Sequence, residues 1–327
     1  MRRRQLLTSL VAGAGSLLAS RTGLAQALAL AFPSKPVRFI VALGPGSGAD
    51  TGTRFIAEHF GKNTGQPTLV ENRPGGDGVL AVQNLLGAPA DGHTLMYLTP
   101  SPMVLTPLLN PSTPYDPLRD VRPVAYISRS QAVMVTGAKS RFASFADVIA
   151  EAKARPGTVR MSNYGHHYRI GALQLQLLTG AQFTHVPYKG AAQANNDVIA
   201  GDIDVAITDT GGAMPLIEGG RLRPLAQTGP NRHAFLPKVP TIQELGVPYE
   251  LIVWTGFGVS AKTPEPLARR LEELLLAVLE SPEYKEYNDK QGGGEIIAGT
   301  GEQLKALITA ETARYRELAR TTQLADK

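Results

Sequence analysis

The feature that most constrains this chain is an alternation of short apolar strands with helices. Strand-like segments at 37–43, 67–70 and 93–98 are separated by helical segments at 50–60 and 78–86. The first strand is almost wholly apolar, which is typical of a strand buried on both faces. The pattern therefore predicts a mostly parallel sheet with helices on both faces, which is an α/β fold.

The alternation resumes between about residues 130 and 225. The segment between the two units, 99–123, carries seven prolines. Because proline interrupts helices and central strands, we interpret this segment as a connector that wraps over the surface. In the second unit we expect strands at 131–136, 159–162, 184–186, 203–207 and 222–227, and helices at 144–154, 170–178 and 192–200.

The C-terminal third returns to helices after a strand at 251–260, and an amphipathic helix is expected at about 301–318. Helices that follow the second unit indicate that the chain recrosses to the first domain, so that two crossing strands form a hinge. We therefore predict two α/β domains with a ligand cleft between them. Their predicted extents are 32–128 with 226–327 for domain 1, and 129–225 for domain 2.

The first 31 residues have the features of a secretory signal peptide. Three arginines, Arg2 to Arg4, precede a moderately apolar stretch, and no acidic residue occurs before Asp50. The Arg3-Arg4 pair also fits a twin-arginine signal. The apolar stretch is shorter than the ~20 residues that a membrane span needs. We therefore expect an exported protein whose mature form is soluble.

Removal of the signal peptide changes the charge of the chain. The full sequence has 33 basic and 28 acidic residues, and four of the arginines lie in the signal, which leaves 29 against 28. No block of Lys and Arg remains that would bind nucleic acid, so we exclude that partner. The sequence has no cysteine, which excludes a disulfide and a lipid anchor on cysteine.

A glycine-rich turn at 44–50 (GPGSGAD) lies between the first strand and its helix. Glycines let a ligand approach the backbone, and the start of a helix offers unpaired N–H groups at the positive end of the helix dipole. The turn is thus a candidate site for a carboxylate or a phosphate, although a tight turn without a ligand would look the same. The candidate residues are Pro45, Gly46, Ser47, Gly48 and Asp50.

The same turn supports a second interpretation. Gly44, Gly46 and Ala49 satisfy the dinucleotide fingerprint, and Glu71 ends the next strand, as in an NAD-binding enzyme. Pro45 counts against this alternative because it stiffens the turn where the pyrophosphate would pass. The sequence shows no nucleophile elbow, no metalloprotease motif and no other catalytic set, so we expect neither an enzyme nor a cofactor.

Two further loops follow strands and precede helices. One contains Arg73, Gly75 and Gly76, and the other contains Thr99 and Ser101. In open α/β sheets, ligands bind at the carboxyl ends of the strands, so these loops should form one wall of a crevice with the first turn. For Arg73, a surface salt bridge is an equally good interpretation.

Six segments, in order along the chain, resemble the substrate-binding proteins of tripartite tricarboxylate transporters, also called the Bug family. They are 32–41 (FPSKPVRFIV), 71–75 (ENRPG), 115–120 (YDPLRD), 186–192 (VPYKGAA), 220–226 (GRLRPLA) and 239–242 (VPTI). The resemblance covers residues 32–320. It implies a type II periplasmic-binding-protein fold that closes like a flytrap on a small organic acid. A carboxylate of the acid would be held by the first two strand–helix loops.

The family resemblance also implies a periplasmic location and a membrane permease as partner. In the second domain it implies that Lys189, Gly190 and Ala191 contact the ligand. We expect a monomer that carries its ligand and does no chemistry on it. A periplasmic sensor for a signalling partner would share every one of these residues and remains an alternative.

The chain departs from the family pattern in the second domain. Where small hydroxyl residues are usual, it has Tyr164, His166, His167 and Arg169. We expect Arg169 to receive a second anionic group, since guanidinium binds carboxylate bidentately, and a histidine contact would weaken binding as the pH rises through ~6.5. This set favours a dicarboxylate or an aromatic carboxylate, and the Thr208-Asp209 pair argues against an amino acid.

Overall fold

The computed structural model of the chain describes residues 31–291 and 293–322. The signal peptide expected at 1–31 therefore lies almost wholly outside the described residues and stays a prediction. Within the described ranges, no helix is both long enough and apolar enough to cross a membrane.

The first unit folds as the alternation predicts. Its middle strand pairs in parallel with both neighbours. Both helices begin seven residues after the end of their strand, so the connections that precede them are short. The elements are β1 Val37–Val41, α1 Gly48–Thr64, β2 Thr68–Asn72, α2 Val79–Gly87 and β3 Thr94–Leu98.

The connector contains a π-helical segment, Ser101–Leu105, and two short α-helices, α3 Thr106–Leu109 and α4 Pro117–Asp120. Its last residues differ from the prediction, because strand β4 extends from Val121 to Gly137 and includes Pro123. The register of β4 shifts directly after Pro123, so this residue, which has no N–H to donate, lies at a bulge.

The second unit also follows the predicted alternation. Its helix α5 begins with the predicted cap, since Ser144 accepts from Asp147 N and the Asp147 side chain accepts in return. The elements are α5 Phe145–Ala154, β5 Val159–Tyr164, α6 Gly165–Thr179, β6 Phe183–Tyr188, α7 Ala191–Ala200, β7 Val205–Asp209, α8 Thr210–Glu218 and β8 Leu222–Gln227.

The C-terminal third contains two elements that the periodicity did not indicate, α10 and β10. Helix α9 begins at Glu265, and Pro264 lies at its N-cap. The elements are β9 Ile252–Ser260, α9 Glu265–Leu279, α10 Pro282–Lys290, β10 Glu295–Thr300 and α11 Gly301–Thr322.

Two crossing strands join the halves of the molecule. The strands form one sheet in the order β2-β1-β3-β9-β4-β7-β5-β6, with β8 and β10 also paired to β4. Strand β4 pairs with β9 through Gln131 and with β7 from Ala132 onward, so it passes from one lobe to the other. The expected two-strand hinge is thus the antiparallel pair β4 and β9.

Each lobe has its own core. In the first lobe, Phe39 and Ile40 are adjacent on β1 and fully buried on opposite faces. Phe39 packs against Phe60 of α1, and Ile40 belongs to the cluster that includes Leu85 of α2. Both faces of the strand are covered, which explains its uninterrupted apolar sequence.

Residues 228–251 pack with the second lobe. Ile242, Tyr249 and Leu251 belong to the same buried cluster as Met161 of β5. We therefore propose that the second lobe extends to about residue 251, beyond the boundary at 225 that the sequence suggested.

Strand β9 should be intolerant of side chains at its glycines. A Cβ on Gly256 would overlap Leu304 and lie 2.5 Å from the carbonyl oxygen of Ala125. We expect Gly256→Ala to lower the free energy of unfolding, measured in urea, by about 1–3 kcal/mol. Gly52→Ala is the control, since a Cβ there meets nothing within 4 Å and should stabilise α1 by up to ~1 kcal/mol. Wild-type stability of Gly256→Ala would contradict this packing.

Candidate ligand-binding cleft

A cavity of about 650 Å³ lies between the two lobes. The loops that follow β1, β2 and β3 line it from the first lobe, and those that follow β5, β6 and β7 line it from the second. Parts of the crossing strands and the segment after α9 complete its walls. The cavity thus lies at the carboxyl ends of the strands, where open α/β sheets bind ligands.

The turn after β1 is held together by two of its predicted ligand residues. Ser47 is the N-cap of α1: its hydroxyl accepts from Asp50 N at 3.3 Å and donates to the Gly44 carbonyl at 2.9 Å. The Asp50 carboxylate accepts from Gly46 N at 2.9 Å and pairs with Arg54. Burial alone would raise the pKa of Asp50, but these donors outweigh it and lower the pKa. Ser47 and Asp50 therefore shape the turn.

The cavity surface of this turn is main chain. Gly48 and Ala49 line the cavity, and they lie in the first turn of α1, where helical N–H groups have no helical acceptor. Pro45 and Gly46 are exposed and lie outside the cavity wall. A Cβ on Gly48 would come within 2.5 Å of the Asp209 carboxylate from the opposite lobe. Glycine at 48 thus permits close approach of the lobes.

The second loop has an unusual backbone. Gly75, Gly76, Asp77 and Gly78 all have positive φ, at 141°, 55°, 49° and 96°, and all four line the cavity. Three glycines are the residues that adopt such angles at least cost. The loop thus presents main chain to the cavity.

Arg73 lies outside the cavity wall and is exposed. Its guanidinium donates to Glu71 at 2.8 Å, which matches the salt-bridge interpretation. Glu71 also lies 3.6 Å from Arg38. The carboxylate that a dinucleotide site would direct at a ribose is therefore engaged by two arginines.

His166 and His167, although adjacent, have different roles. His166 Nε2 lies 3.1 Å from the Asp77 carboxylate, and Nδ1 lies 3.0 Å from the Thr106 hydroxyl. Both partners belong to the first lobe, so His166 joins the lobes beside the cavity. Burial lowers the pKa of His166, and Asp77 opposes that shift.

The third loop contacts the second lobe through Ser101. Thr99 and Ser101 both line the cavity, and the Ser101 hydroxyl accepts from the backbone N–H of His167 at 3.0 Å. Ser101 therefore satisfies a first-turn donor of α6 from across the cleft. The His167 ring is 2% exposed, and burial lowers its pKa to about 3. His167 is neutral at ordinary pH, so it cannot make ligand binding weaken as the pH rises through ~6.5.

Tyr164, Thr208 and Asp209 form one hydrogen-bonded group. The Tyr164 hydroxyl donates to Asp209 at 2.8 Å and lies 3.2 Å from the Thr208 hydroxyl. Asp209 is also the N-cap of α8, since its carboxylate accepts from Gly212 N at 2.6 Å. Tyr164 and Asp209 line the cavity, while Thr208 is fully buried behind them.

Arg169, which we expected to receive a second anionic group, does not line the cavity. Helix α6 begins at Gly165, so Arg169 lies a full turn into the helix, where it is exposed and outside the cavity wall. Lys189 does line the cavity, and it is the one cationic side chain in that wall among residues 31–291 and 293–322. Gly190 and Ala191 lie behind it at the start of α7, where Gly190 approaches Gly44.

Sequence reasoning missed one wall of the cavity. Tyr284, Tyr287 and Asn288 of α10 line it, with Tyr97 of β3 beside them. A signal for α10 existed: Ser281 is its N-cap and accepts from Tyr284 N at 3.1 Å, and Pro282 begins the helix. Most residues of α10 are polar, so hydrophobic periodicity did not reveal its aromatic face.

The fold and the cleft define a two-lobed solute-binding protein of the periplasmic type. The sequence model of a protein family, the tripartite tricarboxylate transporter family receptor, matches residues 53–324. The chain belongs to this family. The resemblance and the fold class inferred from the sequence are thereby confirmed.

Similar proteins cover nearly the whole chain. Protein BugT of Bordetella pertussis is 32% identical over 321 residues, which is 97% of this chain and 98% of BugT. A protein from the tcbD-tcbE intergenic region of Pseudomonas sp. (strain P51) is 31% identical, covering 93% and 92%. The structure of Rpa4515 from R. palustris with adipate has a TM-score of 0.84 at 30% identity, covering 89% and 98%.

Acid stability should depend on His167. Its pKa is about 3 in the folded protein and about 6.5 in an unfolded chain. Below pH 6.5 the unfolded state therefore takes up a proton that the folded state does not. As the pH is lowered below 6.5, the free energy of unfolding should therefore decrease, and this residue should contribute up to ~1.4 kcal/mol per pH unit to the decrease.

The measurement is a urea titration at pH 7, 6, 5 and 4. His167→Gln stays uncharged and should lose less stability than the wild type between pH 6 and 4. Parallel pH profiles for the two proteins would show that His167 does not carry this effect.

Proposed function

We propose that the protein captures a small organic carboxylate in the periplasm for the permease of a tripartite tricarboxylate-type transporter. The observation that carries the proposal is the convergence of main-chain donors on one cavity. Gly48 and Ala49 begin α1, and Gly165 begins α6. Helix starts favour anions because their N–H groups are unpaired and the helix dipole is positive there.

The carboxylate would bind where the first two loops meet. The loop at 75–78 adds main chain to that of Gly48 and Ala49, while Ser47 and Asp50 hold the turn from behind. A site of this kind recognises the carboxylate group and leaves the rest of the ligand to other walls. A dicarboxylate or an aromatic carboxylate would both satisfy it, and the relative Rpa4515 was solved with adipate.

Lys189 replaces Arg169 in this proposal as the cation that faces the ligand. It belongs to the second lobe, so a carboxylate between Lys189 and Gly48 would contact both lobes at once. A ligand that contacts both lobes binds the closed state more tightly than the open state, and this difference in affinity shifts the equilibrium toward closure. Ser101 and His166 already join the lobes beside the cavity, and ligand release requires these contacts to open.

Binding can be tested with the mature chain, residues 32–327, refolded to remove any carried ligand. A carboxylate at 100 times its dissociation constant should raise stability by ~2.7 kcal/mol, which is a shift of several degrees in melting temperature. If carboxylates produce no shift while adenine or nicotinamide dinucleotides do, the dinucleotide alternative is correct and the proposal fails.

The role of Lys189 can be tested on the best carboxylate found. Hydrogen bonds to charged groups contribute about 1.5–3 kcal/mol, so Lys189→Met should weaken binding in calorimetry by roughly 10- to 100-fold. Lys139→Met is the matched control, because Lys139 is exposed and lies outside the cavity wall. Equal affinities for both variants would show that the ligand does not meet Lys189.

A further inference from the structure

We propose that the cleft contains an aromatic subsite, formed by α10 with Tyr97, which selects acids carrying an aromatic ring over aliphatic dicarboxylates. This inference rests on the proposed function and names the class of ligand. Helix α10 forms a wall of the cavity that is distant in sequence from the glycine loops.

The tyrosines of α10 are held rigidly. Tyr284 and Tyr287 are three residues apart, so both project from one side of the helix, and both line the cavity. Phe55 of α1 stacks on Tyr287 with ring centroids 4.1 Å apart at 21°, and lies 6.0 Å from Tyr284. Phe55 thus fixes the two rings from behind.

Aromatic rings line both lobes. Tyr97, on β3, packs edge-on against Phe257 at 5.7 Å, and it belongs to the same lobe as α10. In the opposite lobe, Tyr164 and Tyr168 are packed 4.3 Å apart and also line the cavity. A flat ligand ring between these walls would meet aromatic faces and edges on both sides, an arrangement worth about 0.5–1.5 kcal/mol per pair beyond burial.

The charged side chains in the described cavity wall do not suit a second carboxylate. Burial raises the pKa of Tyr97 and of Tyr168, and the nearby charge of Asp209 adds to both shifts. The Asp209 carboxylate accepts from the Tyr164 hydroxyl at 2.8 Å and also lies beside Gly48, so it is near both the tyrosines and the glycine turn. The one cation in the described cavity wall is Lys189, which comes from the loop beside Gly44. A dicarboxylate would bring two negative charges to a wall in which Lys189 is the one cation among the described residues, whereas a monocarboxylate brings one.

The neutral polar groups nearby suit a ring better than a charge. Ser128 and Thr255 of the crossing strands line the cavity and share a hydrogen bond of 2.9 Å. Asn288 of α10 also lines the cavity. Hydroxyl and amide groups can meet a ring substituent without placing a charge there. The geometry thus points to an aromatic monocarboxylate with its acid group at the glycine loops.

The test compares benzoate and 4-hydroxybenzoate with succinate and adipate, by calorimetry on the refolded mature chain. At least one aromatic acid should bind at least tenfold more tightly than either dicarboxylate. Tyr287→Leu keeps an apolar side chain but removes the ring. It should weaken binding of the aromatic acid about three- to tenfold and change any dicarboxylate affinity less than twofold.

Two further variants separate ring contact from general damage. Tyr287→Phe retains the ring and should keep aromatic affinity within twofold of wild type. Tyr126→Leu is the matched control, because Tyr126 is partly buried outside the cavity wall, and it should bind like wild type. Melting curves of all variants in the absence of ligand confirm that each is folded.

The outcomes distinguish this inference from the proposed function. If a dicarboxylate binds more tightly than both aromatic acids, the subsite is overturned while carboxylate capture stands. If Tyr287→Leu weakens both classes equally, the residue supports the cleft as a whole and the subsite is also overturned. If no carboxylate of either class binds the wild type, the proposed function fails, and the inference fails with it.

Discussion

The antiparallel pairing of β4 with β9 is the constraint on which the rest of the structure depends. These two strands cross between the lobes. They determine which edges of the two half-sheets face each other. The carboxyl ends of the parallel strands then converge on one gap. Helix N-termini lie at that gap because each helix follows its strand directly. The glycines of β9 allow the crossing strands to pack without side chains between them.

Close approach of the lobes determines which groups can meet a ligand. Gly48 and Gly190 bring main chain to within contact of the opposite lobe, so little room remains there for side chains. Several polar side chains near the gap are used to hold loops or to join lobes, as Asp50 and Ser101 are. Main-chain donors are thereby left for the anion. Discrimination between acids must come from other walls, and the structure provides α10 and the crossing strands for this purpose.

Local signals in the sequence predicted most of the fold. Apolar runs indicated β1 and β3, the Ser144 cap indicated the start of α5, and β8 has the predicted bounds of 222–227. The length of β4 could not be predicted from the same signals, because Pro123 argues against a strand and only a bulge accommodates it. Helix α10 is short and polar, so its periodicity gave no indication of a buried aromatic face.

The sequence predicted only those parts of the site that are formed by main-chain atoms. Glycines after a strand and before a helix identified the loops at 44–50 and 72–78. The partners of side chains could not be predicted in this way, because they come from distant parts of the chain. His166 contacts Asp77, 89 residues earlier, and Arg169 lies outside the cavity wall, one turn along α6 from Gly165, which lines it. A shift of one helical turn is enough to exchange a cavity position for an exposed one.

The central claim is that main chain from both lobes holds the anion in a closed cleft. Hydrogen–deuterium exchange, read residue by residue by NMR with and without a saturating carboxylate, tests it most directly. Slower exchange is expected at Gly48, Ala49 and Gly76 in the first lobe and at Gly165 in the second. Protection confined to one lobe, in a sample whose binding is established by calorimetry, would contradict it.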